Sequence, residues 1–288
     1  MKSTYSIKDI RKITFPYEYN KYPCIKDWKR NPYTSLKARF YMESSVILVF
    51  FFLRTSIKPN TVTIIYGLAG ILGGVLLAIP NKATILISIL IFFLKGILDW
   101  SDGHLARITE QTSLTGHILD SYGAQLNSLG LQVGLGFYVA QKSDIRWFYY
   151  LIPLIPFFYA TNLVHYSRSV LSYPNIISDQ FKAYFRKQEI KTFSATNKKQ
   201  KTIKYGRQLI GSILDDRARS VDFICFIIFL EIFYGLFWSW GIFLLLVSKQ
   251  LLIFIGAFYA VASADMAESM SDEISLEIYK LNNKSRII

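Results

Sequence analysis

The sequence predicts an all-α integral membrane protein of six transmembrane helices preceded by an interfacial amphipathic helix, and three observations predict it. First, the 288 residues are 52% hydrophobic and 16% aromatic, with positive mean hydropathy, which is too oily for a soluble domain of this length. Second, six apolar runs approach the length needed to cross a bilayer. Third, the connections between those runs alternate between basic and weakly charged, as charge-directed topology requires. The formal charge of +13 could suggest nucleic acid, but a nucleic-acid binder does not also carry several membrane-length runs. The basic residues are therefore assigned to topology and to contact with membrane lipid, with no nucleic-acid partner.

Residues 1 to 57 read as a cytoplasmic arm followed by the interfacial helix. The arm is polar, basic and aromatic (Tyr17, Tyr19, Tyr22, Trp28, Tyr33), and Pro16, Pro23 and Pro32 are expected to break any long helix in it. Its first residues, MKSTYSIKDIRK, have none of the pattern of a cleaved signal peptide. Residues 34–53 begin with Lys37 and Arg39 and end in VILVFFFL, short for a span and suited to an interfacial helix dipping inward; a seventh span is the alternative. With only Cys24 and Cys225, no disulfide framework is expected.

The transmembrane domain is placed at 58–264. After KPNTVT come apolar runs at 64–79, 83–98, 116–140, 147–170, 221–237 and 241–262, and the third is the least apolar. The connections PNK, QKSDIR and WSW are short and weakly charged, whereas the arm, the loop at 168–219 and the tail at 265–288 are basic. This places both termini and residues 99–115 in the cytoplasm. The long loop can hold a short amphipathic helix, and its NKKQK run reads as a solvated topology signal. Gly70 and Gly74, and Gly130 and Gly134, are spaced four apart, which lets helices approach closely within the bundle or in a homodimer.

Chemistry concentrates in LDWSDGHLARITEQTSLTGHILDSYGAQ, residues 98–125. If the second span continues helically through Arg107, a step of about 100° per residue puts Asp99, Asp102, Gly103 and Ala106 on one arc with Arg107 at its edge. On the third span Gly116, Asp120, Gly123, Ala124 and Asn127 share a face. Three carboxylates with small residues between them describe a roomy pocket. Crowded carboxylates near a bilayer call for a cation. With oxygen ligands alone and no Cys or His cluster, Mg²⁺ is favoured and Mn²⁺ is acceptable, as one ion or two. Such an ion attracts a phosphate or diphosphate, to which Arg107 could add a fork-shaped contact. His104 and His117 are read as interface residues, and His165 with Tyr166 and Arg168 as an interfacial anchor.

These residues resemble the signature of the CDP-alcohol phosphotransferases, D-x2-D-G-x2-A-R-x8-G-x3-D-x3-D. Asp99, Asp102, Gly103, Ala106, Arg107, Gly116 and Asp120 match it at the family's spacing, and Pro59, Asn60 and Thr63 resemble its upstream P-N-x-x-T. The resemblance implies attack by an acceptor alcohol on the β-phosphorus of a CDP-alcohol, with release of CMP, in phospholipid or related phosphodiester synthesis. It implies that Asp99, Asp102 and Asp120 hold the metal, and that Gly103, Ala106, Arg107 and Gly116, with Asn60 and Thr63, line the substrate site. The departure is Ala124, where the family has the aspartate assigned as general base. That leaves open a relocated base, an engineered inactive form, or a member that binds CDP-alcohol and metal without reacting. An ion-coupled transporter is the remaining rival, and the sequence shows no inverted repeat with broken helices to favour it.

Overall fold

The computed structural model describes residues 5–21, 25, 32–143, 145–161 and 218–263. Among them every regular element is helical: α1 (Ile7–Lys21), α2 (Pro32–Phe52), α3 (Pro59–Leu77), α4 (Lys82–Ile108), α5 (Leu114–Ser143), α6 (Trp147–Leu151), α7 (Leu154–Ala160), α8 (Ala218–Tyr234) and α9 (Ser239–Ser263). Three of these are long and apolar enough to cross a membrane, spanning Pro59–Leu77, Lys82–Ile108 and Ser239–Tyr259. α5 is longer but studded with polar residues, and α8 has 17 residues. The expected fourth span is interrupted. α6 stops at Leu151 and α7 restarts at Leu154, because Pro153 brings no N–H to the helical ladder.

The chain divides into two compact units, Met1–Tyr149 with Asp216–Phe243, and Tyr150–Asp215 with Leu244–Ile288. In the second, Phe254 of α9 packs on Phe157 and Phe158 of α7, with ring centroids 6.2 and 5.3 Å apart. The basic loop, the tail, His165 and Cys24 lie outside the described residues.

The first unit is built on a glycine seam. Lipid supplies no hydrophobic drive between helices, so close backbone packing must substitute for it. A Cβ on Gly130 would fall on the Gly70 carbonyl, and one on Gly134 would lie 2.6 Å from the Gly74 carbonyl. The paired glycines are therefore spent on contact between α3 and α5 inside the chain. Asn127, fully buried, locks the same seam by donating from Nδ2 to the carbonyls of Tyr66 (3.0 Å) and Gly123 (2.9 Å).

One expectation for the arm is corrected. Pro16 lies inside the 15-residue α1, whereas Pro32 opens α2, where its missing N–H costs nothing. α2 divides its polarity along its length, with PYTSLKARFYMES preceding SVILVFFF. Its buried stripe mixes Ser35, Ala38, Met42, Ser45, Val46 and Val49. Ile10 of α1, Val46 and Val49 of α2, Val62 of α3, and Leu105 and Ile108 of α4 form one apolar cluster, which ties the arm to the end of α4. At α8, Tyr33 and Lys37 of α2 both donate to the Asp222 carboxylate.

Candidate functional site

α4 runs unbroken for 27 residues and so carries Asp99 through Arg107 on continuous helix, as the spacing predicts. It closes just beyond them. Gln111 N–H bonds the Ala106 carbonyl at 2.8 Å and Glu110 N–H bonds that of Arg107 at 3.4 Å, while Glu110 takes φ 54°. This is a glycine-type helix stop made by a residue with a side chain, at a cost of about 1–2 kcal/mol. Ser113 then caps α5, its Oγ accepting from Gly116 N–H at 3.0 Å. The tight turn brings Asp120 back beside the carboxylates of α4.

The site forms where the N-terminal turns of α3 meet the C-terminal end of α4 and the N-terminal end of α5. Asp99 and Asp120 lie near enough to repel each other, and both sense Asp102 electrostatically. Asp102, 6% exposed, accepts from Thr63 Oγ1 at 2.6 Å. Asp99 and Asp120 are half-buried. Asn60 reaches the same place: a Cβ on Gly116 would stand 3.2 Å from its Oδ1. Gly103 and Ala106 are half-buried and line α4 between the carboxylates and Arg107. Ala124 is exposed, one turn beyond Asp120.

Arg107 sits somewhat differently from the expectation. Its Nη2 donates to Glu18 Oε1 of α1 at 2.5 Å, and its guanidinium lies 4.3 Å from the centre of the Tyr17 ring. His104, fully buried, pairs Nδ1 with Ser45 Oγ at 3.0 Å and turns Nε2 towards the same Glu18 oxygen at 3.5 Å. It is an interior residue and not the interface residue its position suggested. His117 is exposed.

Sequence reasoning missed Tyr66, Glu18 and Tyr17. Tyr66, 5% exposed, lies beside Asp99 and packs its ring on Gly123, where a Cβ would come within 3.0 Å. Its signal was available, because it follows Thr63 by three residues and so shares that face of α3. Glu18 gave none, lying in an arm whose helix was not anticipated.

Two carboxylates near enough to repel each other favour a proton or a cation between them. No set of three or more His, Cys, Asp or Glu among the described residues stands in ready metal-holding geometry. The donor chemistry nevertheless fits a small hard ion. Mg²⁺ is commonly held by one or two carboxylates, with waters and substrate phosphates completing the shell, and Asp99 facing Asp120 offers such a pair.

Fold and site together define a helical protein with membrane-length spans and a carboxylate cluster where three helix ends meet. A family model for CDP-alcohol phosphatidyltransferase matches residues 56–177 of the chain. The match supports a transferase of the phosphotransferase kind, acting in phospholipid synthesis on a CDP-alcohol and an alcohol, in a membrane setting. It takes in α3 to α7 and every residue of the carboxylate cluster, while α1, α2, α8 and α9 lie outside it. No curated protein and no solved structure matches the chain.

Proposed function

We propose that the chain transfers a phosphoalcohol group, of phosphatidyl type, from a CDP-alcohol to an acceptor alcohol, releasing CMP at the cytoplasmic membrane face. The supporting observation is the convergence of Asp99, Asp102 and Asp120 from two helices, with Asp99 against Asp120. Asp99 and Asp120 would hold a divalent ion, with Asp102 behind them fixed by Thr63. Bound there, Mg²⁺ or Mn²⁺ would neutralise diphosphate charge and ease departure of CMP.

The residues of the chain do the rest by positioning, which is most of what phosphoryl-type transfer asks. Gly103 and Ala106 keep α4 low enough for the nucleotide to lie across it. Arg107 offers its remaining N–H groups to phosphate oxygens. Asn60, beside Gly116, orients a polar group of the substrate. Tyr66, beside Asp99, would donate its hydroxyl to that carboxylate and steady it. Alternating loop charge supports six spans with both termini and the site cytoplasmic.

Ala124 favours a second reading, a member that binds CDP-alcohol and metal with little or no turnover. A methyl group accepts no proton, and Asn127 is committed by its amide to the α3–α5 seam. General-base assistance is worth about 10²- to 10⁴-fold in rate. CMP release from a panel of CDP-alcohols and acceptors with Mg²⁺ or Mn²⁺ separates the readings, with this chain run beside its Ala124→Asp and Asp99→Asn forms. Turnover that rises about 10²- to 10⁴-fold in Ala124→Asp and vanishes in Asp99→Asn is expected. Divalent-ion-dependent nucleotide binding that survives both Asp99→Asn and Asp120→Asn would sink the site.

A further inference from the structure

We propose that Glu18, on a helix outside the matched domain, is a positioning residue that holds the Arg107 guanidinium at the carboxylate site for the anion of the nucleotide substrate. This rests on the reading of the site given above. The guanidinium is held by two contacts and passes close to Gly103. Glu18 Oε1 takes Nη2 at 2.5 Å, the Tyr17 ring lies against it at 4.3 Å, and its two Nη atoms stand 3.5 Å from where a Cβ on Gly103 would be. Glu18 is itself 4% exposed and the Arg107 side chain 23%, so the ion pair is better shielded from water than a surface pair.

The clamp leaves donors free. Arg107 Nε is buried and makes no hydrogen bond, and Nη1 lies near Gly103. A part-exposed guanidinium with one edge paired and donors left over can accept a second anion. Arg107 lies on α4 within electrostatic reach of Asp102, so the second anion would be held beside the carboxylate site. His104 extends the support behind Glu18, since its Nε2 faces the carboxylate and its Nδ1 is anchored to Ser45 of α2. α1 thus acts through Arg107, touching no reacting atom.

The test measures CDP affinity with Mg²⁺ by calorimetry on the purified full chain. Glu18→Gln should weaken CDP on the order of tenfold, a usual cost when an outer-shell partner is lost. In an Arg107→Gln background the same change should do nothing further, because the two residues act as one unit. Tyr17→Leu, at a residue 45% exposed and so open to substitution without loss of fold, should weaken CDP several-fold and be equally silent without Arg107. Unchanged or tighter CDP binding in Glu18→Gln, or losses that add to those of Arg107→Gln, would overturn the proposal. Asp99→Asn in the same assay separates the layers. If it abolishes binding while Glu18→Gln does not alter it, only this inference fails; if it leaves CDP bound, the site reading fails and this inference with it.

Discussion

Glu231 and Asp99 are both carboxylates on helices of the first unit, and they could hardly be treated more differently. Glu231, 2% exposed, accepts five hydrogen bonds. Oε1 takes the amides of Trp238 and Ser239 at 2.5 Å each, and Oε2 takes Ser239 Oγ at 2.9 Å, Tyr138 Oη at 3.0 Å and Lys142 Nζ at 3.1 Å. One negative charge thus caps α9, joins it to α8 and reaches across to α5. Asp99 instead lies near another carboxylate, with a third close by and Tyr66 beside it. A saturated buried charge is a fastening, whereas crowded like charges favour a further cation among them.

The largest effect should come from breaking the fastening. Glu231→Ala strands Lys142, Tyr138 and the first amides of α9, and removing one partner of a buried pair costs about 3–5 kcal/mol. Denaturation in detergent should show that loss, with CDP affinity of the folded fraction unchanged. Asp99→Asn should do the reverse, leaving the metal-free protein as stable as before, or more so, because it relieves repulsion. A Glu231→Ala protein of normal stability would dissolve the contrast.

A smaller effect sharpens it from the other side. Ligand that binds only the folded state stabilises by RT ln(1 + [L]/Kd), about 2.7 kcal/mol at one hundred times Kd. Saturating Mg²⁺ or Mn²⁺ should raise Tm in the parent chain and in Glu231→Ala by a similar free energy. The rise should disappear in Asp120→Asn. Equal stabilisation of all three would place the ion elsewhere.

The difference between these regions also explains what was legible. Asp99, Asp102 and Asp120 stand at spacings that a helix converts directly into one face, so their meeting followed from α4 being continuous and α5 folding back. The glycines at 70, 74, 130 and 134 announced a seam by spacing alone. Glu231 announced nothing, because its partners Tyr138 and Lys142 lie about ninety residues earlier and a lone Glu in an apolar run has no period. Glu18 was hidden in the same way, with Arg107 in a distant helix and Pro16 arguing against α1. The helix stop at Glu110 lacked its usual glycine. Local periodicity can be read from the chain, while pairing across distant helices depends on the packed fold.

The smallest expected change in stability discriminates most finely between glycines kept for packing and glycines kept for a substrate. Gly130→Ala drives a Cβ into the backbone of Gly70, where no flexible side chain can give way, and should cost roughly 1–3 kcal/mol or more. Gly103→Ala meets only the Arg107 guanidinium at 3.5 Å, an ordinary contact. Because alanine favours a helix interior over glycine by about 0.8–1 kcal/mol, the fold alone has reason to prefer alanine at 103. Glycine there is explained by what must lie across α4. Gly103→Ala should therefore raise Tm slightly while weakening CDP binding, opposite signs that a packing role cannot produce. Unchanged CDP affinity in a stabilised Gly103→Ala protein would show that the nucleotide does not pass over this turn of α4.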